Sequence, residues 1–175
     1  MAFPYATAAT LSRRFSAREM KEVVFEDEGD ADACDVDEAV VIADGQAATD
    51  DTTDETLELA DCITEALTWA HSRVDSYVGV RFAVPYTDGS GGVPAALTDA
   101  AVSLARHRLY AARATVVPEG VRDDLAETLS WLERVASGKA ALPLPATAED
   151  PAVPTRRILT GVRSDLGVLF ANPMF

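Results

Sequence analysis

Apolar residues recur in steps of three and four along most of this chain. The cleanest run is Leu59, Ile63, Leu67, Ala70, Val74, Tyr77 and Val78, one face of an amphipathic helix. Thr52, with Glu55 three residues on, predicts a capping box at its start. Glu55, Glu58 and Asp61 fill the first turns, where the helix dipole favours acids. Gly79 marks the end. A second face reads Leu97, Ala101, Leu104, Ala105, Arg108 and Ala112, with Pro94 as the first helical residue. A third reads Val121, Leu125, Leu129, Leu132 and Val135, opened by Pro118 and stopped by Gly138. Ahead of these, Thr7 caps a turn that includes Leu11 and Phe15. Ser16 and Glu19 cap a short helix that carries Met20, Val23 and Val24 to the core.

Two stretches break this rhythm. From Glu26 to Ser72 there is no lysine or arginine, and acids crowd "EDEGDADACDVDE". Such a run reads as a solvated loop held open by self-repulsion. The β-branched runs "EVVF" and "AVVIA" flank it with the chemistry of a short hairpin, which is marginal alone. After Gly138, "KAALPLPATAEDPAVPTRR" is too rich in proline for a helix. It runs into "RILTGVRSDLGVLFANPMF", which has strand-forming chemistry but no partner strand in the chain.

The expected fold is therefore mainly α. A small helical bundle over residues 1–138 carries an acidic insertion over 26–54 with a short β-hairpin, and an extended arm covers 139–175. The arm's candidate partner-binding residues are Arg156, Arg157, Ile158, Leu159, Val162, Leu169, Phe170 and Phe175.

Charge narrows the function. The net charge of −14 on 175 residues sets most of the surface against a phosphate backbone. The basic stretch "LARHRLYAARAT" then needs another use. Arg106, Tyr110 and Arg113 share a stripe apart from Leu97, Ala101 and Leu104, and Arg108 lies at the edge of the apolar face. Arg106, Arg108 and Arg113 are candidates for salt bridges within the bundle or between subunits.

Chemistry narrows it further. His71 and His107 fall on different helices with no metal-ligand spacing beside them, and each reads as a packing or surface residue. No Walker loop, GxSxG elbow or HExxH occurs. An EF-hand read from Asp30 puts Asp35 where glycine is required and Val41 where the bidentate glutamate belongs. Cys34 and Cys62 form no CxxC pair and read as free thiols of a reducing compartment, Cys62 packing as a small apolar group. The N-terminus lacks the pattern of a signal peptide. A soluble, non-enzymatic protein without metal or cofactor is expected.

Four stretches together resemble a known family. "ATLSRRF", "ITEALTWAHSRVDSYVGVRFAVP", "VPAALTDAAVSLARHRLY" and "ETLSWLERVASGKAALPL" occur in this order across Ala9 to Leu144. The chain in this respect resembles the Mu-like phage neck proteins, head–tail adaptors (connectors) of the virion. The resemblance implies a ring, usually of twelve copies, docked beneath the portal protein. Such a ring extends the DNA channel without binding DNA specifically, and it supports tail attachment through a stopper or tail-completion protein. It implies a structural protein of the virion neck, assembled in the host cytoplasm, with no cofactor and no membrane. It also implies that the C-terminal arm reaches the portal or a neighbouring subunit. Other readings are a stopper or tail-completion role in the same neck, or an acidic inhibitor that mimics DNA. The acidic segment Glu26–Asp54 is longer than the short turn expected of relatives.

Overall fold

The computed structural model describes residues 3–25, 28–113 and 116–143. Among them the chain forms seven helices and no strand: α1 (Ala8–Ser12), α2 (Ala17–Val24), α3 (Glu28–Ala33), α4 (Val36–Ala43), α5 (Asp54–Val78), α6 (Ala95–Arg113) and α7 (Glu119–Ala136). The mainly helical bundle expected from the periodicity is what the chain builds. None of these helices is long and apolar enough to cross a membrane.

α5 organises the rest. Its 25 residues give a rod of about 37 Å, and every other helix packs against it. The stripe Leu59, Ile63, Leu67, Ala70, Val74 and Val78 is fully buried, and Tyr77 packs half-buried beside it. Ala60, Ala66 and Ala70 are buried between the larger residues. Their small side chains allow close approach of α6, which makes the most extensive contact with α5. α6 answers with Leu97, Ala101, Leu104 and Ala105, all fully buried. α7 closes the layer with Val121, Leu132 and Val135 buried, and Leu125 and Leu129 half-covered.

Helix ends were legible to within a residue or so. Thr7 and Ser16 cap α1 and α2 as their spacing predicts, accepting from the backbone N–H of Thr10 and Glu19. The α5 cap is Thr53 rather than Thr52: its hydroxyl accepts from Thr56 N–H and lies 3.1 Å from the Ala33 carbonyl. Thr52 instead donates to Glu38 Oε1 at 2.5 Å. Pro94 and Pro118 stand immediately before α6 and α7, not at their first residues. The carbonyl of each accepts the opening helical hydrogen bonds. Gly138 follows the α7 cap at φ +74°, a left-handed conformation that favours glycine.

The hairpin is corrected outright. "EVVF" ends α2, and "AVVIA" lies within α4. The β-branched preference for strands is weak, and packing overrides it. Val36, Ala39, Val40 and Ala43 make a buried helical stripe, and Met20, Val23 and Val24 make another. The acidic stretch between them is not a loop either. Its residues from Glu28 on form α3 and the capped start of α4, where Asp35 accepts from Glu38 N–H at 3.1 Å. The Asp35 N–H in turn donates to Thr56 Oγ1 at 2.9 Å, fastening the segment to α5.

After α7 the chain turns back sharply. The N–H groups of Lys139 and Ala140 both donate to the Arg134 carbonyl. Leu142 is buried, and Tyr86 donates its hydroxyl to the Pro143 carbonyl. Residues 144–175, which hold all the arm residues predicted to bind partners, lie outside the described residues.

Because α5 is the common partner, truncation of its centre should be felt throughout. Ile63→Ala is expected to lower unfolding free energy by about 3 kcal/mol, measured by urea titration of the helical circular dichroism signal. A loss below about 1 kcal/mol would show that the bundle does not depend on this stripe.

Candidate functional site

Two polar clusters join distant parts of the chain, and both draw on residues of the long helices. The first is centred on Arg106. Its guanidinium meets Glu19 Oε1 at 2.7 Å and Asp124 Oδ2 at 3.6 Å. The same guanidinium lies over the Phe15 ring, 4.8 Å from its centroid. Tyr110, one helical turn on, donates its hydroxyl to the same Glu19 oxygen at 2.7 Å. Burial, with the Glu19 carboxylate next, pushes the Tyr110 phenol up to about 12. One arginine thus ties α6 to α2, to α7 and to the turn between α1 and α2. Arg108 leans the other way. It pairs with Glu65 of α5 at 2.7 Å and approaches the Trp69 ring at 5.9 Å.

The predicted salt-bridge residues are therefore not gathered in one place. Arg106 and Arg108 lie on two sides of α6 with separate carboxylates. Arg113 ends the helix, and its side chain is outside the described residues. Sequence reasoning missed the partners Glu19, Glu65 and Asp124. Glu19 was legible only as a capping-box residue. Its N–H does donate to Ser16, but its carboxylate turns to Arg106 and Tyr110. Tyr110 stands four residues after Arg106, the one signal in the sequence that the two share a target.

The second cluster straps the N-terminal segment across α5. Tyr5 donates to Asp75 Oδ1 at 2.5 Å and accepts from Tyr86 N–H at 2.9 Å. The Ala6 N–H donates to His71 Nε2 at 3.1 Å. The N–H groups of Ala8 and Ala9, at the start of α1, donate to the two Asp44 oxygens. His71 is only 5% exposed, edge-on to the rings of Phe3 and Tyr5. Because Nε2 accepts, the ring proton sits on Nδ1, which has no hydrogen-bond partner. Burial lowers the His71 pKa to about 4, against the pull of Asp75. This histidine is a neutral packing group of the strap. His107, half-buried on α6, is also lowered by burial.

Neither cluster has the arrangement of a reaction centre. Each joins acid to base, or amide to acceptor, across helices. Among the described residues no group of three or more His, Cys, Asp or Glu is arranged to hold a metal ion. Cys34 is buried and Cys62 half-buried, and they are not joined in a disulfide. Burial raises the Cys34 pKa.

The surface that remains is acidic. The segment 26–72 holds more than half of the chain's 29 acidic residues and none of its 15 lysines and arginines. α6, the helix with the densest basic run, spends Arg106 and Arg108 on carboxylates of its own chain.

Comparison with known proteins bears on this surface. The family model described as Bacteriophage Mu, Gp36 matches residues 5–159. The Mu-like prophage FluMu protein gp36 of Haemophilus influenzae is 38% identical over 82 residues, which cover 47% of this chain and 53% of that protein. The match thus spans about half the length of that curated relative.

Two outcomes test these clusters. A double-mutant cycle on Arg106→Ala and Glu19→Ala should give a coupling of about 1 kcal/mol, read from chemical denaturation; zero coupling would make the pair incidental. His71, lowered from 6.5 to about 4, binds its proton more readily when unfolded. Its contribution is whole above pH ~6.5 and is lost as pH falls towards 4, about 3 kcal/mol in all. His71→Gln should flatten the stability profile in that window, and an unchanged slope would show that His71 does not carry it.

Proposed function

The chain belongs to the Bacteriophage Mu Gp36 family, and from that premise we propose that it is a head–tail adaptor of a tailed phage or phage-like particle. In this reading copies of the helical core form a ring, of twelve subunits, beneath the portal protein. The ring extends the DNA channel and carries the stopper or tail-completion protein below. The C-terminal arm, through Arg156, Arg157, Ile158, Leu159, Val162, Leu169, Phe170 and Phe175, engages the portal or a neighbouring subunit. The protein resides in the neck of the virion after assembly in the host cytoplasm.

The observation that carries the reading is the family match over residues 5–159, on a chain whose four ordered motifs resemble neck proteins. The electrostatics support it. A conduit for DNA must not hold the phosphate backbone, and a protein that neutralises few phosphates binds it weakly. Here the net charge is −14, and two arginines of the most basic helix are occupied by Glu19, Asp124 and Glu65. The clusters described above suit a scaffold. They fix helices, and the N-terminal segment, to one another.

Co-expression with the cognate portal protein tests this. Negative-stain electron microscopy of the purified product should show an extra ring below the portal. Removal of the chain after Pro143, which keeps the packed Leu142, should abolish the ring if the arm docks it. A ring that survives truncation would keep the adaptor role and move docking to the helices. Absence of a ring with either form would overturn the adaptor reading in favour of a stopper or an inhibitor.

A further inference from the structure

A groove of about 320 Å³ runs between α6 and α7. Ala100, Thr128 and the half-buried Trp131 line it, and Asp99, Asp124 and Glu127 stand along it, with Arg134 as its one cation. Asp99 pairs with Arg14, and Asp124 is reached by Arg106 at 3.6 Å. Both acids nonetheless keep about half of their side-chain surface in solvent, 51% and 55%. Glu127 is exposed and makes no ion pair among the described residues. The groove therefore offers an aromatic floor between small residues, under a negative rim.

We propose that this groove takes the chain's own segment Arg156–Arg163, "RRILTGVR", in the free protein. Three observations select that occupant. The first is charge. The segment carries Arg156, Arg157 and Arg163 and no acid, and it meets a rim of three half-exposed or exposed carboxylates, of which Glu127 makes no ion pair among the described residues. The second is apolar content. Ile158, Leu159 and Val162 lie between the arginines, suited to Trp131 and Ala100 beneath the rim. The third is reach. The chain leaves the described core at Pro143, held by Tyr86 and seven residues after the end of α7, the end that bears Trp131 and Arg134. The dozen residues from there to Arg156, rich in proline, span up to about 40 Å at ~3.1 Å each. α7 with its 18 residues is about 27 Å long, so the whole groove is within range. The docked arm covers the groove and neutralises its acids. This concerns the free chain and stands apart from the neck reading, so either can fail without the other.

The test uses the full chain with a photo-crosslinking amino acid at position 128, in the groove, or at position 72, exposed on α5. Mass spectrometry of the irradiated monomer should find position 128 joined to a peptide containing residues 156–163 of the same chain. The yield from position 72 should be at least fivefold lower. The R156E/R157E variant, which leaves the helical core untouched, should lose the position-128 product about fivefold. Glu127→Lys in that background should restore it. Crosslinks that form only between two chains, equal yields from both positions, or a yield indifferent to charge reversal would each overturn self-docking.

Discussion

Everything in this bundle leans on one helix. α5 is contacted by all six others, and its apolar stripe is sealed along its full length, from Leu59 to Val78. The short helices α1 to α4, of five to eight residues, are too brief to persist alone in water. They exist because α5 gives their apolar faces something to cover. The dependence explains why the polar contacts of the N-terminal half end on α5 or on its neighbours. Tyr5 ends on Asp75, Ala6 on His71 and Asp35 on Thr56. Each fastens a piece of chain that could not hold its own shape.

The legible part of the sequence follows from the same fact. Long helices with a full stripe, α5, α6 and α7, announce themselves by periodicity. The caps Thr7 and Ser16 were readable because a hydroxyl three residues before a free N–H has one local use. The short helices α3 and α4 were not readable. "AVVIA" has strand chemistry when taken alone, and only the neighbouring α5 makes Val36, Ala39, Val40 and Ala43 a helical face. The cap at Asp35 was hidden among so many acids that none stood out. Thr53 displaced Thr52 as the α5 cap because its hydroxyl also reaches the Ala33 carbonyl, a contact 20 residues away in sequence. In the polar clusters the basic members were visible, but Glu19, Glu65 and Asp124 were not, since a carboxylate's partner is set by packing rather than spacing.

The acidic segment has a physical logic beyond solubility. The hydrogen bonds from Asp35 N–H to Thr56 and from Thr53 to the Ala33 carbonyl bring the starts of α4 and α5 together. Two helix N-termini side by side place two positive dipole ends in one region. Asp35, Asp37 and Glu38 at one start, with Asp54 and Glu55 at the other, answer that field, each favourable by about 0.3–1 kcal/mol when exposed. Lysine or arginine there would oppose both dipoles, and the sequence has none from 26 to 72. The run that looked like a self-repelling loop is a charge distribution two helix starts can hold.

That distribution also orders the rest of the surface. With acids gathered around the α4 and α5 starts and along the α6–α7 groove, and with Arg106 and Arg108 turned to carboxylates of the core, the cations left for external contact are scattered over the helices. Beyond the core the sequence brings arginines together at Arg156, Arg157 and Arg163 with no acid among them. A core of net negative charge joined to a segment of local positive charge has a built-in attraction between its parts. The same attraction acts on any second copy of the core. Within one chain, effective concentration favours the tethered core. In the ring proposed above, geometry would set the choice between a chain's own core and the next one. The charge pattern is the same in both cases, so the passage from free chain to the proposed ring needs no second set of residues.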